Sequence, residues 1–216
     1  NGGFHFSVGN VSAKAITPNS KFTKRTIDYG INYKFGKLTL QSNANYSLEY
    51  NQNPPGSTQG NGIANTIYTT AVSSDITWLK DNYKDPVTGN EVQFSRFADR
   101  TNPYWTAYER FEDRNRNRLF GNILLKYDFF PWLYVQGRVG QDWSETDTEN
   151  NEPTGTAYMR PAATGFNGSY AIGKSIFKEV NYDFLVGLEK KVGKFSFDAQ
   201  FGGNAMDRES SSVRTS

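Results

Sequence analysis

The side chains that could carry chemistry in these 216 residues are few. There is one histidine, His5, and no cysteine. A nucleophilic relay with a second histidine, a thiolate nucleophile and a thiolate metal site are therefore all excluded. His5 stands between Phe4 and Phe6, and in an extended chain that alternation turns it to the polar face. Carboxylates occur in pairs, Glu112 with Asp113 and Glu145 with Asp147, but in polar stretches that imply no apolar pocket to tune them for general acid–base work. Asp81, Asn82, Asp85 and Asn90 offer oxygens to a calcium ion at a spacing that fits no defined calcium loop. The expectation is a protein that is not an enzyme, with no cofactor and no metal.

Binding chemistry is better represented. The stretch Asn51–Arg116 is too long for a mere connector and carries Tyr68, Trp78, Tyr83, Tyr104, Trp105, Tyr108 and Phe111. Aromatic faces beside Asn, Asp and Arg suit sugars or peptides, because a ring covers an apolar face while polar groups take hydrogen bonds. Tyr104, Trp105, Trp78 and Tyr108 are the candidate ligand contacts, with Tyr104 and Trp105 first. The competing expectation is that these rings pack the loop against its own scaffold.

What must position such a loop is a set of strands. In Leu38–Tyr50, Leu38, Leu40, Ala44, Tyr46, Leu48 and Tyr50 alternate with Thr39, Gln41, Asn43, Asn45, Ser47 and Glu49. That is one apolar and one hydrophilic face. The same pattern recurs in Gly3–Val11, Arg25–Phe35, Asn117–Phe129, Leu133–Trp143, Ile176–Glu189 and Lys194–Asn204. No charge falls in the middle of any apolar face. These strands are about ten residues long, the span of a bilayer-crossing strand and roughly twice that of an ordinary one.

The connections alternate between short turns near 36–37, 130–131 and 191–193 and long loops at about 12–24, 51–116 and 144–175. Short periplasmic turns and long outer loops are the habit of bacterial outer-membrane barrels. The fold class expected is all-β: a segment of about seven antiparallel strands from a large transmembrane β-barrel, covering 1–216, with the tail Asp207–Ser216 entering an outer loop. Seven strands cannot close such a barrel, so the sequence reads as a piece of a longer one, with no plug domain in it. Aromatics at 15% and 20 glycines suit interfacial girdles and tight turns, and Phe129, Phe130 and Trp132 sit where such a girdle belongs. No apolar run approaches the length of a helical membrane span.

With 24 basic and 22 acidic residues and no dense basic cluster, nothing points to nucleic acid. Lipid, in contrast, is an expected partner. Arg118, Lys126, Arg138, Asp142 and Asp183 fall on the hydrophilic side and are expected to face a barrel lumen. A passive barrel or adhesin, or a soluble carbohydrate-binding β-sandwich, would share much of this pattern.

Several ordered strings carry a resemblance. Gly9–Ser12 leads to Pro18-Asn19-Ser20, Phe22 and Arg25; then come Gly36–Leu40 and Asn45–Ser47. Asn102–Trp105, Arg118, Gly121-Asn122, Leu125–Tyr127, Trp132-Leu133 and Gly137–Gly140 complete the set. Together they resemble the SusC/RagA family of TonB-linked outer-membrane transporters. The resemblance implies a barrel of about 22 strands around a plug. It also implies import of oligosaccharides or peptides, a SusD-like surface lipoprotein as lid, and energy coupling through a TonB complex that contacts parts of the protein outside these residues.

Overall fold

The computed structural model describes residues 1–54, 63–95, 101–157 and 167–216. Parts of the expected loops, 55–62, 96–100 and 158–166, lie outside the described residues. The strands are β1 (Gly2–Lys14), β2 (Lys21–Phe35), β3 (Leu38–Gln52), β4 (Phe111–Phe130), β5 (Leu133–Glu152), β6 (Ser169–Val192) and β7 (Phe195–Thr215). Three short helices, α1 (Ile63–Thr69), α2 (Ile76–Asp81) and α3 (Pro103–Tyr108), fall between β3 and β4. All seven strands form one antiparallel sheet in sequence order.

Register converts seven separate alternations into one surface. Phe4 pairs with Ile31, Tyr33 with Leu40, Leu40 with Leu125, Ile123 with Val139, Val139 with Tyr182 and Tyr182 with Ala205. The apolar sets of neighbouring strands thus fall on the same face, and a slip of one residue in any strand would turn that strand's set over. On β6 the uncharged apolar positions run from Val180 to Leu188, bounded by Lys178 and Lys190 on the same face. At about 3.3 Å per residue and a tilt of about 40°, those two lysines lie roughly 30 Å apart in depth, close to a hydrocarbon core with its margins.

The turns at one end are tight. Gly36 and Gly193 take φ of 56° and 63°, left-handed values that a residue without Cβ adopts freely. Pro131 and Trp132 link β4 to β5, with a register shift at Asp128–Phe130.

Hardly any core lies in the sheet itself. Phe4 is 84% exposed, Ile123 51% and Phe184 52%. A soluble sandwich would cover these with a second sheet. The described residues form one antiparallel sheet, as the barrel-segment expectation required and unlike the alternative of a soluble sandwich.

At the long-loop end the strands outrun their sequence reading. β4 begins at Phe111 rather than 117, β5 ends at Glu152 rather than 143, β6 begins at Ser169 rather than 176, and β7 runs to Thr215 rather than 204. The connections are accordingly 15–20, 53–110 and 153–168, shorter than 12–24, 51–116 and 144–175. Asp207–Thr215 is strand, not the start of a loop. The reason is visible in Glu145–Asn151, which is polar on both faces and shows no alternation. Backbone ladders continue there regardless of side chain, helped by pairs such as Lys174 with Glu145 at 2.9 Å.

Candidate functional site: the loop cluster and the polar face

Two short signals start the helices of the long connection. Asp75 caps α2, its carboxylate accepting from the Thr77 and Trp78 amides at 2.8 and 3.3 Å. Asn102 caps α3, accepting from Tyr104 N–H at 2.9 Å, with Pro103 in the first turn. Both caps were legible as Asp-Ile-Thr-Trp and Asn-Pro, yet the sequence reading treated the whole stretch as loop.

These helices enclose a small core of Leu79, Trp105, Ala107 and Ala157. Trp105 is 1% exposed, and its indole N–H donates to Thr156 Oγ at 3.1 Å. It was a first choice for ligand contact; it is instead the keystone that joins the second long connection to the third. A ring closed on all sides cannot offer a face to solute.

Glu91, also 1% exposed, was singled out by nothing in the sequence. One carboxylate oxygen accepts from the Asn102 amide at 2.5 Å, the other from the Ala157 amide at 2.6 Å. Asn102 is fully buried and donates its carboxamide to Leu79 C=O at 3.0 Å. Asn19, in the 15–20 connection, donates to Ala107 C=O at 3.0 Å. The three connections form one cap over the end of the sheet.

The other candidate rings lie on its surface. Tyr104 and Tyr108 stack with centroids 6.3 Å apart, and Tyr83 meets Tyr108 at 5.9 Å. Tyr108 is 46% and Trp78 47% exposed, while Tyr104 is half-buried. Lys84 pairs with Glu109 at 2.9 Å beside this cluster. Partial burial and the Glu109 carboxylate push the Tyr83 hydroxyl above the usual phenol range, and the hydrogen bond to Glu109 raises the Lys84 ammonium. At neutral pH the cluster presents phenol donors around a closed ion pair. Of the four oxygen-bearing residues Asp81, Asn82, Asp85 and Asn90, two are engaged with backbone: the Asp85 carboxylate caps a turn through the Val87 and Thr88 amides, and the Asn82 carboxamide donates to Trp78 C=O. No group of acidic or histidine side chains among the described residues could hold a metal.

The second candidate surface is the polar face of the sheet. Arg118, Lys126, Arg138, Asp142 and Asp183 all occupy it, as the alternation required. Arg118 grips Asp142 with two bonds of 3.0 and 2.7 Å, and Arg138 reaches Asp183 at 2.6 Å. Arg208 closes on Glu179 at 2.6 Å. Lys126 lies 3.7 Å from the centroid of Tyr134, a ring laid across Gly187 on the neighbouring strand. His5 is laid over Gly30 in the same way.

No family profile matches this sequence, and no curated protein matches it. Solved structures do. A chain in the structure of the RagAB peptide importer in the "closed-closed" state aligns at TM-score 0.70 and 15% identity, covering 99% of this chain and 23% of that one. In the "open-open" state of the RagAB importer the values are 0.69, 13%, 99% and 23%. A structure of the RagAB peptide transporter gives 0.64, 14%, 99% and 24%. The chain thus spans about a quarter of the length of the chains it matches. At such identity the likeness is one of fold, and what it shows is an antiparallel segment of a large β-barrel of the kind found in that importer.

Proposed function

We propose that this chain forms part of the wall and outer cap of an outer-membrane barrel that imports oligosaccharides or peptides. The carrying observation is the single sheet with an uncovered, charge-free apolar band on one face and self-paired charges on the other. Lipid satisfies the first face and a hydrated lumen the second. The short turns then face the periplasm, and the cap of connections faces the medium, where Tyr83, Tyr104, Tyr108 and Trp78 meet solute or lid. Likeness to a peptide importer supports the transport reading. A SusD-like lipoprotein as lid and a TonB complex as the energy source belong to the same proposal through the family resemblance.

The test is uptake of labelled oligopeptides and oligosaccharides by cells carrying the full-length protein, with and without TonB. Saturable uptake of either class that stops without TonB is expected. Uptake that persists unchanged without TonB would replace the proposal with a passive barrel.

A further inference from the structure

Beyond its apolar band, the outward face of β1 and β2 ends in cations that nothing in the sheet neutralises. Register carries that face from Val8 and Ile27 through Asn10 beside Arg25 and Ser12 beside Thr23 to Lys14 beside Lys21. Lys14, Lys21 and Arg25 are all exposed, and none has an acidic partner among the described residues. Like charges directly opposite on adjacent strands, their Cβ atoms about 5 Å apart, destabilise the pairing. The next strand gives no relief: Gln52 stands beside Lys21, Tyr50 beside Thr23 and Leu48 beside Arg25. One strand further, Asp113 lies beside Gln52 and accepts from the Tyr50 hydroxyl at 3.2 Å. The 15–20 connection that joins Lys14 to Lys21 carries no charge.

Elsewhere the sheet closes such charges. Lys24, on the opposite face of β2, reaches Glu49 at 2.8 Å, and Lys174, on the outward face of β6, reaches Glu145 at 2.9 Å. The cations of β1 and β2 are left open to an anion, and their position selects its kind. Immediately inward of them lie Val8, Ile27 and Tyr29, exposed by 68%, 45% and 39%. From Arg25 to Lys21 is four residues, about 13 Å along the strand and roughly 10 Å in depth at a tilt of about 40°. Cations and hydroxyls over that depth, next to uncovered apolar side chains, complement an amphiphile. Its phosphate oxygens can accept from Lys14, Lys21 and Arg25, with the Ser12 and Thr23 hydroxyls as further donors, while its acyl chains cover Ile27 and Tyr29. A free phosphate would engage the cations and leave the apolar rows bare.

Resting on the membrane reading above, we propose that Lys14, Lys21 and Arg25 form a docking site for the phosphate-bearing headgroup of an outer-leaflet lipid. Titration of the purified full-length protein in detergent with dioleoyl phosphatidate, read by native mass spectrometry of bound lipid, tests it. Dioleoyl phosphatidylcholine and inorganic phosphate are the comparison probes. Each cation beside an anionic lipid contributes about fivefold in affinity, so Lys14→Gln/Lys21→Gln should hold the tightest-bound phosphatidate roughly 25-fold more weakly. Lys24→Gln/Lys174→Gln removes the same charge from closed pairs and should bind phosphatidate as the unaltered protein does. Phosphatidylcholine binding should change in neither. No preference for phosphatidate over phosphatidylcholine, no loss in Lys14→Gln/Lys21→Gln, or an equal loss in both double variants overturns the assignment. So does displacement of phosphatidate by an equimolar amount of inorganic phosphate, which would make the site one for a free anion. Failure of the unaltered protein to insert into phosphatidylcholine vesicles would instead sink the membrane reading, and the site with it.

Discussion

Replacing Ile123 by lysine in the full-length protein separates a lipid-facing sheet from every other arrangement. Ile123 sits mid-strand on β4, half-exposed, between Ser42 and Val139 on the adjacent strands. If its face meets lipid, an ammonium near the bilayer centre costs about 2–4 kcal/mol, a shift of roughly 30- to 700-fold in the folding equilibrium. If its face meets water, the change belongs among surface substitutions, within about 0.5 kcal/mol. Two companions calibrate depth and side. Val192→Lys lies past Lys190 at the short-turn end of the same face, where the cost falls to about 0–1 kcal/mol. Gln41→Lys lies on the polar face and should be silent to within about 0.5 kcal/mol. The assay is urea denaturation of each variant in phospholipid vesicles, read by the fraction that keeps the compact, heat-modifiable gel mobility. Equal midpoints for Ile123→Lys and Gln41→Lys would refute the membrane reading outright.

Three further outcomes follow from the geometry. Trp105→Ala removes the keystone of the cap at a local cost of about 3–5 kcal/mol, so limited proteolysis should cut within residues 76–95 while the strand signal in circular dichroism stays unchanged. Glu91→Gln replaces a carboxylate that holds two backbone amides with a group that can accept from only one side, and hydrogen exchange at Asn102 and Ala157 should accelerate at least tenfold. Gly187→Ala puts a Cβ inside the Tyr134 ring, which must swing away from Lys126; a loss of about 1–3 kcal/mol is expected. That loss should largely vanish in a Tyr134→Ala background, because the two positions are coupled.

Period-two alternation, with no charge inside any apolar face, determined most of the fold by itself. Alternation is a property of neighbours in the chain, so Ile27 to Phe35 or Val180 to Leu188 reveal a two-faced strand with no knowledge of their partners. The same logic put Arg118, Lys126, Arg138, Asp142 and Asp183 on one side. It failed where both faces are wet, as in Glu145–Glu152 and Asp207–Thr215, because there the strand is held by ladders to β6 and carries no mark of its own. Pairing across strands is a tertiary fact. Only it set Arg138 against Asp183, placed Lys14 beside Lys21, and showed which charges cancel. The loop rings divided on the same ground. Sequence offered Tyr104, Trp105, Trp78 and Tyr108 together, with Tyr104 and Trp105 first, and could not separate packing from binding, since an aromatic side chain serves a core and a binding face equally well. What buried Trp105 and left Tyr108 and Trp78 exposed was the closure of three distant connections on Thr156, Glu91 and Asn102. Contacts between residues 51 to 66 positions apart leave no trace in local spacing.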